Sequence, residues 1–136
     1  MKTIKIFLWF LFAALTTHAQ LAVTVSPVKI VGQKAVVKLE MKNNFSEKIE
    51  SARAVCFLLD NQGKMVGQSS RWVIGGTKER PALESKKEAA FNFVVPVNKR
   101  LEATNLTAKV SFSRLVLKGG PVADVKKAVT VTPGSE

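Results

Sequence analysis

Few side chains in this 136-residue chain are of a type that breaks or makes bonds. There is one histidine, His18, one cysteine, Cys56, and no tyrosine. A Ser-His-Asp or Cys-His nucleophile needs an imidazole to carry the proton, and zinc or copper centres usually need imidazole or grouped thiolates. His18 falls in a leader expected to be removed, so the folded product has neither. Carboxylate pairs remain, Glu47 with Glu50 and Glu84 with Glu88, but both stand in polar connections among lysines. Solvated ion pairing is expected there, not the raised pKa that general acid catalysis requires. Asp60-Asn61-Gln62-Gly63 opens like a calcium loop, yet it lacks the alternating acids and closing glutamate, and a hairpin turn accounts for each of its residues. Gly75-Gly76 and Gly119-Gly120 have no phosphate-loop lysine and no helix after them. No catalytic residue, metal ligand or cofactor is assigned, and the expected protein is not an enzyme.

Two other groups carry binding chemistry. Cys56 has no partner for an internal disulfide. It reads either as a small buried apolar side chain, which its place in a strand pattern favours, or as a reactive thiol. The candidate interaction surface is Arg71, Trp72, Gly75, Gly76, Lys78 and Arg80, where an aromatic and three cations border a long connection. Trp72 itself reads as the cap of a core edge or as an exposed stacking platform, the former being the commoner fate of tryptophan.

The elements that must hold these groups follow from an apolar period of two. Val37, Leu39 and Met41 alternate with Lys38, Glu40 and Lys42, the pattern of a strand with one wet face. Val55, Phe57 and Leu59 alternate with Ala54, Cys56 and Leu58, which suits a central strand covered on both faces or nearly so. Phe91, Phe93 and Val95 form a third run; Val110 and Phe112 form a fourth that changes phase near Arg114, as a bulge would cause. Residues 21–31, 65–74 and 125–131 are weaker strand candidates. Gly32-Gln33 suits a two-residue hairpin with glycine first, and Asp60-Asn61-Gln62-Gly63-Lys64 a three-residue loop closing on a left-handed glycine. Pro27 marks a kinked edge strand, and Gly119-Gly120-Pro121 ends the fourth run. Leu83 is the expected plug of the connection over 75–88. The fold class is therefore all-β, an immunoglobulin-like antiparallel β-sandwich of about seven strands.

Residues 1–19 read as a secretory signal peptide: Lys2 and Lys5, then an apolar run from Ile6 to Leu15, then Thr17 and Ala19 at −3 and −1 of a cut before Gln20. That run is about half the length that crosses a bilayer as a helix. The expected organisation is a leader over 1–19, one domain over 20–132 and a frayed tail over 133–136, with a periplasmic or secreted location. Losing Lys2 and Lys5 takes the net charge from +11 to +9. The cations are scattered, with adjacent pairs only at Lys86-Lys87, Lys99-Arg100 and Lys126-Lys127. A solvated surface accounts for most of them, and a polyanionic partner such as lipopolysaccharide, acidic glycan or nucleic acid is the alternative.

The stretch from Val36 to Pro96 resembles the bacterial extracytoplasmic domains with the consensus Phe-x-Leu-Tyr-Asp. The matching pieces are Val37-Lys38-Leu39, Lys42-Asn43-Asn44, Phe57-Leu58-Leu59-Asp60, the turn from Asn61 to Gly67, Leu83-Glu84-Ser85 and Phe91-Asn92-Phe93. No tyrosine stands between Leu59 and Asp60, so the motif is one residue short. The resemblance implies a small accessory sandwich with no catalytic site attached to the motif. Together these features point to a non-enzymatic exported domain that binds a protein or polymer of the cell envelope through loops or a strand edge.

Overall fold

A computed structural model describes residues 20–97 and 106–134; the leader over 1–19 and the last two residues of the expected tail lie outside them. The strands are β1 (Leu21–Val25), β2 (Lys29–Val31), β3 (Lys34–Asn43), β4 (Ile49–Leu59), β5 (Met65–Gly75), β6 (Glu88–Pro96), β7 (Thr107–Leu117), β8 (Gly120–Pro121) and β9 (Val129–Pro133), with one helical turn, α1 (Val125–Ala128), before the last. They form two sheets. In the first, β3 carries β1 and β2 end to end on one side and β6 on the other, and β9 lies outside β1. In the second, the order is β5-β4-β7-β8. Counting β1 with β2 as one strand broken at Pro27, and β8 as a short return, seven principal strands make the sandwich.

Alternation sets which side chains meet between the sheets. In β3 the residues Ala35, Val37, Leu39, Met41 and Asn43 are buried, while the intervening Lys34, Lys38, Glu40 and Lys42 are exposed. From β4 come Ala52, Ala54, Cys56 and Leu58, and from β6 Phe93 and Val95, all with no exposed surface. Burial of each large aliphatic or aromatic side chain in this layer stabilises the fold by roughly 1.5–3 kcal/mol. No disulfide assists it, since Cys56 is free.

The turns follow their sequence chemistry. Val31 pairs with Lys34 across Gly32-Gln33, with Gly32 at φ 64°. Asp60 N–H donates to the Lys64 carbonyl at 2.8 Å, Gly63 sits at φ 78°, and Asp60 Oδ1 accepts from the Gln62 and Lys64 amides at 2.9 Å each. The carboxylate thus organises its own hairpin. The phase change in β7 is a bulge at Ser113: Ala54 pairs with Phe112 and Arg53 with Arg114.

Three expectations are corrected. Residues 125–128 form a helical turn and not a strand, because Asp124 Oδ1 accepts from the Lys127 amide and caps it. The final strand runs on to Pro133, pairing parallel with Val25, and Gly134 N–H donates to the Val25 carbonyl at 2.7 Å; the ladder continues past the expected start of the frayed tail. Among the described residues, the outer face of the central strand β4 is less covered than its inner face, leaving Val55, Phe57 and Leu59 half-buried.

Candidate functional site

The long connection begins where β5 ends, and its glycines are there for geometric reasons. Gly75 has φ 54°, and a Cβ on it would lie 1.8 Å from the Glu50 carbonyl oxygen. Gly76 has φ 80° and lies against the indole of Trp72, with a hypothetical Cβ 2.4 Å from Cδ2. The chain then crosses to the first sheet. Gly75 N–H donates to the Pro81 carbonyl at 3.0 Å, and Leu83, buried, exchanges two 2.9 Å hydrogen bonds with Ile49. Leu83 is the expected plug.

Trp72 is half-buried and faces outward. By simple alternation it would share a face with Ile74, which is in the core. A bulge at Val73 breaks the phase: Ala52 pairs with Ile74 but Arg53 pairs with Trp72. Val73 and Ile74 are both buried, and the indole is turned onto the solvent side with the Arg53 guanidinium 5.4 Å from its ring centroid. The core-capping expectation for Trp72 is therefore replaced by a cation–π pair on the outer face. Arg80 goes elsewhere, its guanidinium 4.6 Å from the ring centroid of Phe91, which packs edge-on against Phe93. Arg71 and Lys78 are exposed. Of the six candidate surface residues, the structure joins Trp72 with Gly76 in direct contact, gives Gly75 a structural place, and commits Arg80 to the rim of the core.

Arg53 and its neighbours were not singled out by sequence. The outer face of the second sheet has cross-strand rows Trp72–Arg53–Arg114, Ser70–Val55–Ser111, Gln68–Phe57–Lys109 and Met65–Leu59–Thr107. An apolar stripe down β4 is thus flanked by cations. The spacing Arg53, Val55, Phe57, Leu59 was visible; that the described residues leave it half-buried on the outer face was not.

The chemistry-bearing groups are mostly committed to architecture. Asn43 is fully buried, and its amide donates to the Glu47 and Leu83 carbonyls at 3.0 Å each while Oδ1 accepts from Phe45 N–H at 2.8 Å. Ser85 Oγ donates to the Phe45 carbonyl at the same corner. Glu47 Oε1 accepts from Gly119 N–H at 2.8 Å, and Glu50 lies 4.0 Å from Lys48 Nζ. Glu84 and Glu88 are exposed. Cys56 is fully buried, and burial pushes its thiol from an ordinary 9.0 up to about 11. Among the described residues, no three His, Cys, Asp or Glu side chains gather where a metal ion could sit, and no helix is long and apolar enough to cross a membrane.

No protein-family model matches the chain, and no curated protein matches it. Among solved structures, a beta-glucuronidase from glycoside hydrolase family 2 is similar over 71% of this chain at 20% identity, with a TM-score of 0.41. The match spans 9% of that enzyme's length. A likeness of that size carries nothing about activity, and the sandwich assignment rests on the strand pairing itself.

Proposed function

We propose that the chain is a non-enzymatic, exported binding domain that engages another macromolecule of the cell envelope. The observation that carries this reading is the outer face of the second sheet, where Trp72, Val55, Phe57 and Leu59 stand only half-buried among the described residues, beside Arg53, Lys109 and Arg114. Apolar and aromatic surface bordered by cations is the composition that recognition surfaces use. Export is supported by the leader pattern over 1–19, and the accessory role by the resemblance over Val36 to Pro96. The test is saturable binding of labelled, leaderless protein to envelope fractions of its host, alongside intact-mass analysis of the native product. Loss of binding after Trp72→Ala or Phe57→Ser, with the fold intact, is expected. Unsaturable binding, or a native product that retains Met1 in a cytosolic fraction, would refute it.

A second reading, a polyanion binder, is favoured by the charge inventory. Without the leader's Lys2 and Lys5, 19 basic side chains stand against 10 acidic ones, a surplus of nine positive charges. It requires retention on heparin or lipopolysaccharide that weakens steeply with salt. Absence of retention at low ionic strength would remove it.

A further inference from the structure

Among the described residues, the course of the last strand leaves one edge of the second sheet unpaired. After β7 the chain turns back along it, with Pro121 paired to Val116 and Val122 N–H donating to the Leu115 carbonyl at 2.9 Å. Asp124 then caps α1, and that helical turn carries the chain to the other sheet, where β9 pairs parallel with β1. Among the described residues, nothing pairs with the outer edge of β7 over 107–114. Ala108 and Val110 pair with the inward-facing Leu58 and Cys56, yet both are only half-buried. Beside them runs a groove of about 700 Å³ lined by Val28, Ala108, Val110 and Val131 among others. A second hollow continues it past Phe112, Val125 and Val129, again meeting Val110 and Val131. Val131 is one of the few large apolar side chains left exposed.

An unpaired edge over eight residues, roughly 27 Å at strand spacing, beside an apolar trough is the arrangement that accepts an added strand. Charge selects the occupant. The cations Lys109 and Lys126 line the trough and Arg114 projects from the same strand, while among the described residues no Asp or Glu lines either hollow. A second copy of this chain, itself strongly cationic, is a poor match. Building on the binding-domain reading, we propose that the free edge of β7 receives an extended segment of a partner protein as an antiparallel strand, its side chains alternating apolar and acidic. The apolar set lies in the trough over Val110 and Val131. The acidic set lies on the solvent side, opposite Lys109 and Arg114, where opposite charges across a strand pair attract.

The probe is a fluorescein-labelled peptide of alternating valine and glutamate long enough to run beside 107–114, held below its own aggregation concentration. It is titrated by anisotropy into the full chain, with amide shifts recorded in parallel. Saturable binding is expected, with shifts at Ser111 and Ser113. Lys109→Glu and Val131→Glu, both at exposed positions, should each weaken it by about tenfold. The proposal is overturned if the peptide does not bind or if an all-glutamate peptide of equal charge binds as well, which would indicate a polyanion surface. It is equally overturned if the shifts map to β5 or if the chain dimerises through this edge. Envelope binding that survives Val131→Glu would leave the binding-domain reading standing while this edge fails.

Discussion

Asn43 and Cys56 are the two side chains whose burial has the largest testable consequences. Both amide protons of Asn43 and one lone pair of its oxygen are used inside the corner that joins β3, the Glu47 turn and the Leu83 crossing. Asn43→Ala removes three hydrogen bonds and leaves the Leu83 and Glu47 carbonyls and the Phe45 amide without those partners. The expected loss is about 2–4 kcal/mol in denaturant unfolding, because stranded buried groups cost more than the bonds alone. A loss under about 1 kcal/mol would mean that water reaches the corner. For Cys56, the folded thiol resists ionisation up to about 11 whereas the unfolded one ionises near 9.0. Its contribution is therefore complete below pH 9 and is withdrawn between pH 9 and 11, to a total of roughly 2–3 kcal/mol at 1.4 per pKa unit. Cys56→Ala should flatten that alkaline decline, and native protein should resist thiol reagents at pH 8 until denaturant is added. Prompt labelling in the native state would show a thiol less enclosed than the core position indicates.

What could be read from the chain, and what could not, divides along the strands. The faces of β3 and β6, both hairpin turns and the β7 bulge were legible, because each depends on near neighbours: a period of two, a glycine at the right offset, a phase change at Arg114. The destination of β9 was not, since it depends on a four-residue helical turn set by Asp124 that is too short to leave a periodic signal. Trp72 was misplaced for a related reason. Its side was decided by a bulge at Val73, and Val73 and Ile74 read equally well as neighbours on a regular strand. The two kinds of glycine separate in the same way. Gly63 has open space where a Cβ would go, so Gly63→Ala should cost only the left-handed backbone, about 1 kcal/mol. Gly75 has Glu50 backbone in that space. Gly75→Ala should cost about 3 kcal/mol or more and shift the Trp72 emission, since the strand end must move. Equal costs at the two sites would contradict the close approach of β5 to β4.

Taken together, the chain carries a charge excess that the ion pairs found among its described residues do little to neutralise. The ion pairs Lys38–Glu40, at 3.5 Å, and Lys48–Glu50, at 4.0 Å, join substantially exposed side chains. Such pairs contribute about 0–1 kcal/mol each. Against them stands the mutual repulsion of a net +11, or +9 without the leader's Lys2 and Lys5, acting over a screening length of about 30 Å at 0.01 M salt and about 10 Å at 0.1 M. Repulsion among many like charges is cut back by salt across the whole surface, whereas these two attractive pairs are short-ranged and weak, so the net electrostatic term opposes folding. The melting temperature at pH 7 should therefore rise with sodium chloride between roughly 0.01 and 0.5 M. Chloride is the salt to use, because sulfate strengthens apolar burial whatever the charge. Neutral pH matters as well, since raising the pH to discharge lysines would bring in the opposing loss from Cys56. Thermal melts of the leaderless chain across that series measure the sign directly. A melting temperature that falls with added chloride would mean that attractive pairing outweighs the surplus, and the cationic rim around Trp72 and β7 would then be held by carboxylates instead of being open to an acidic partner.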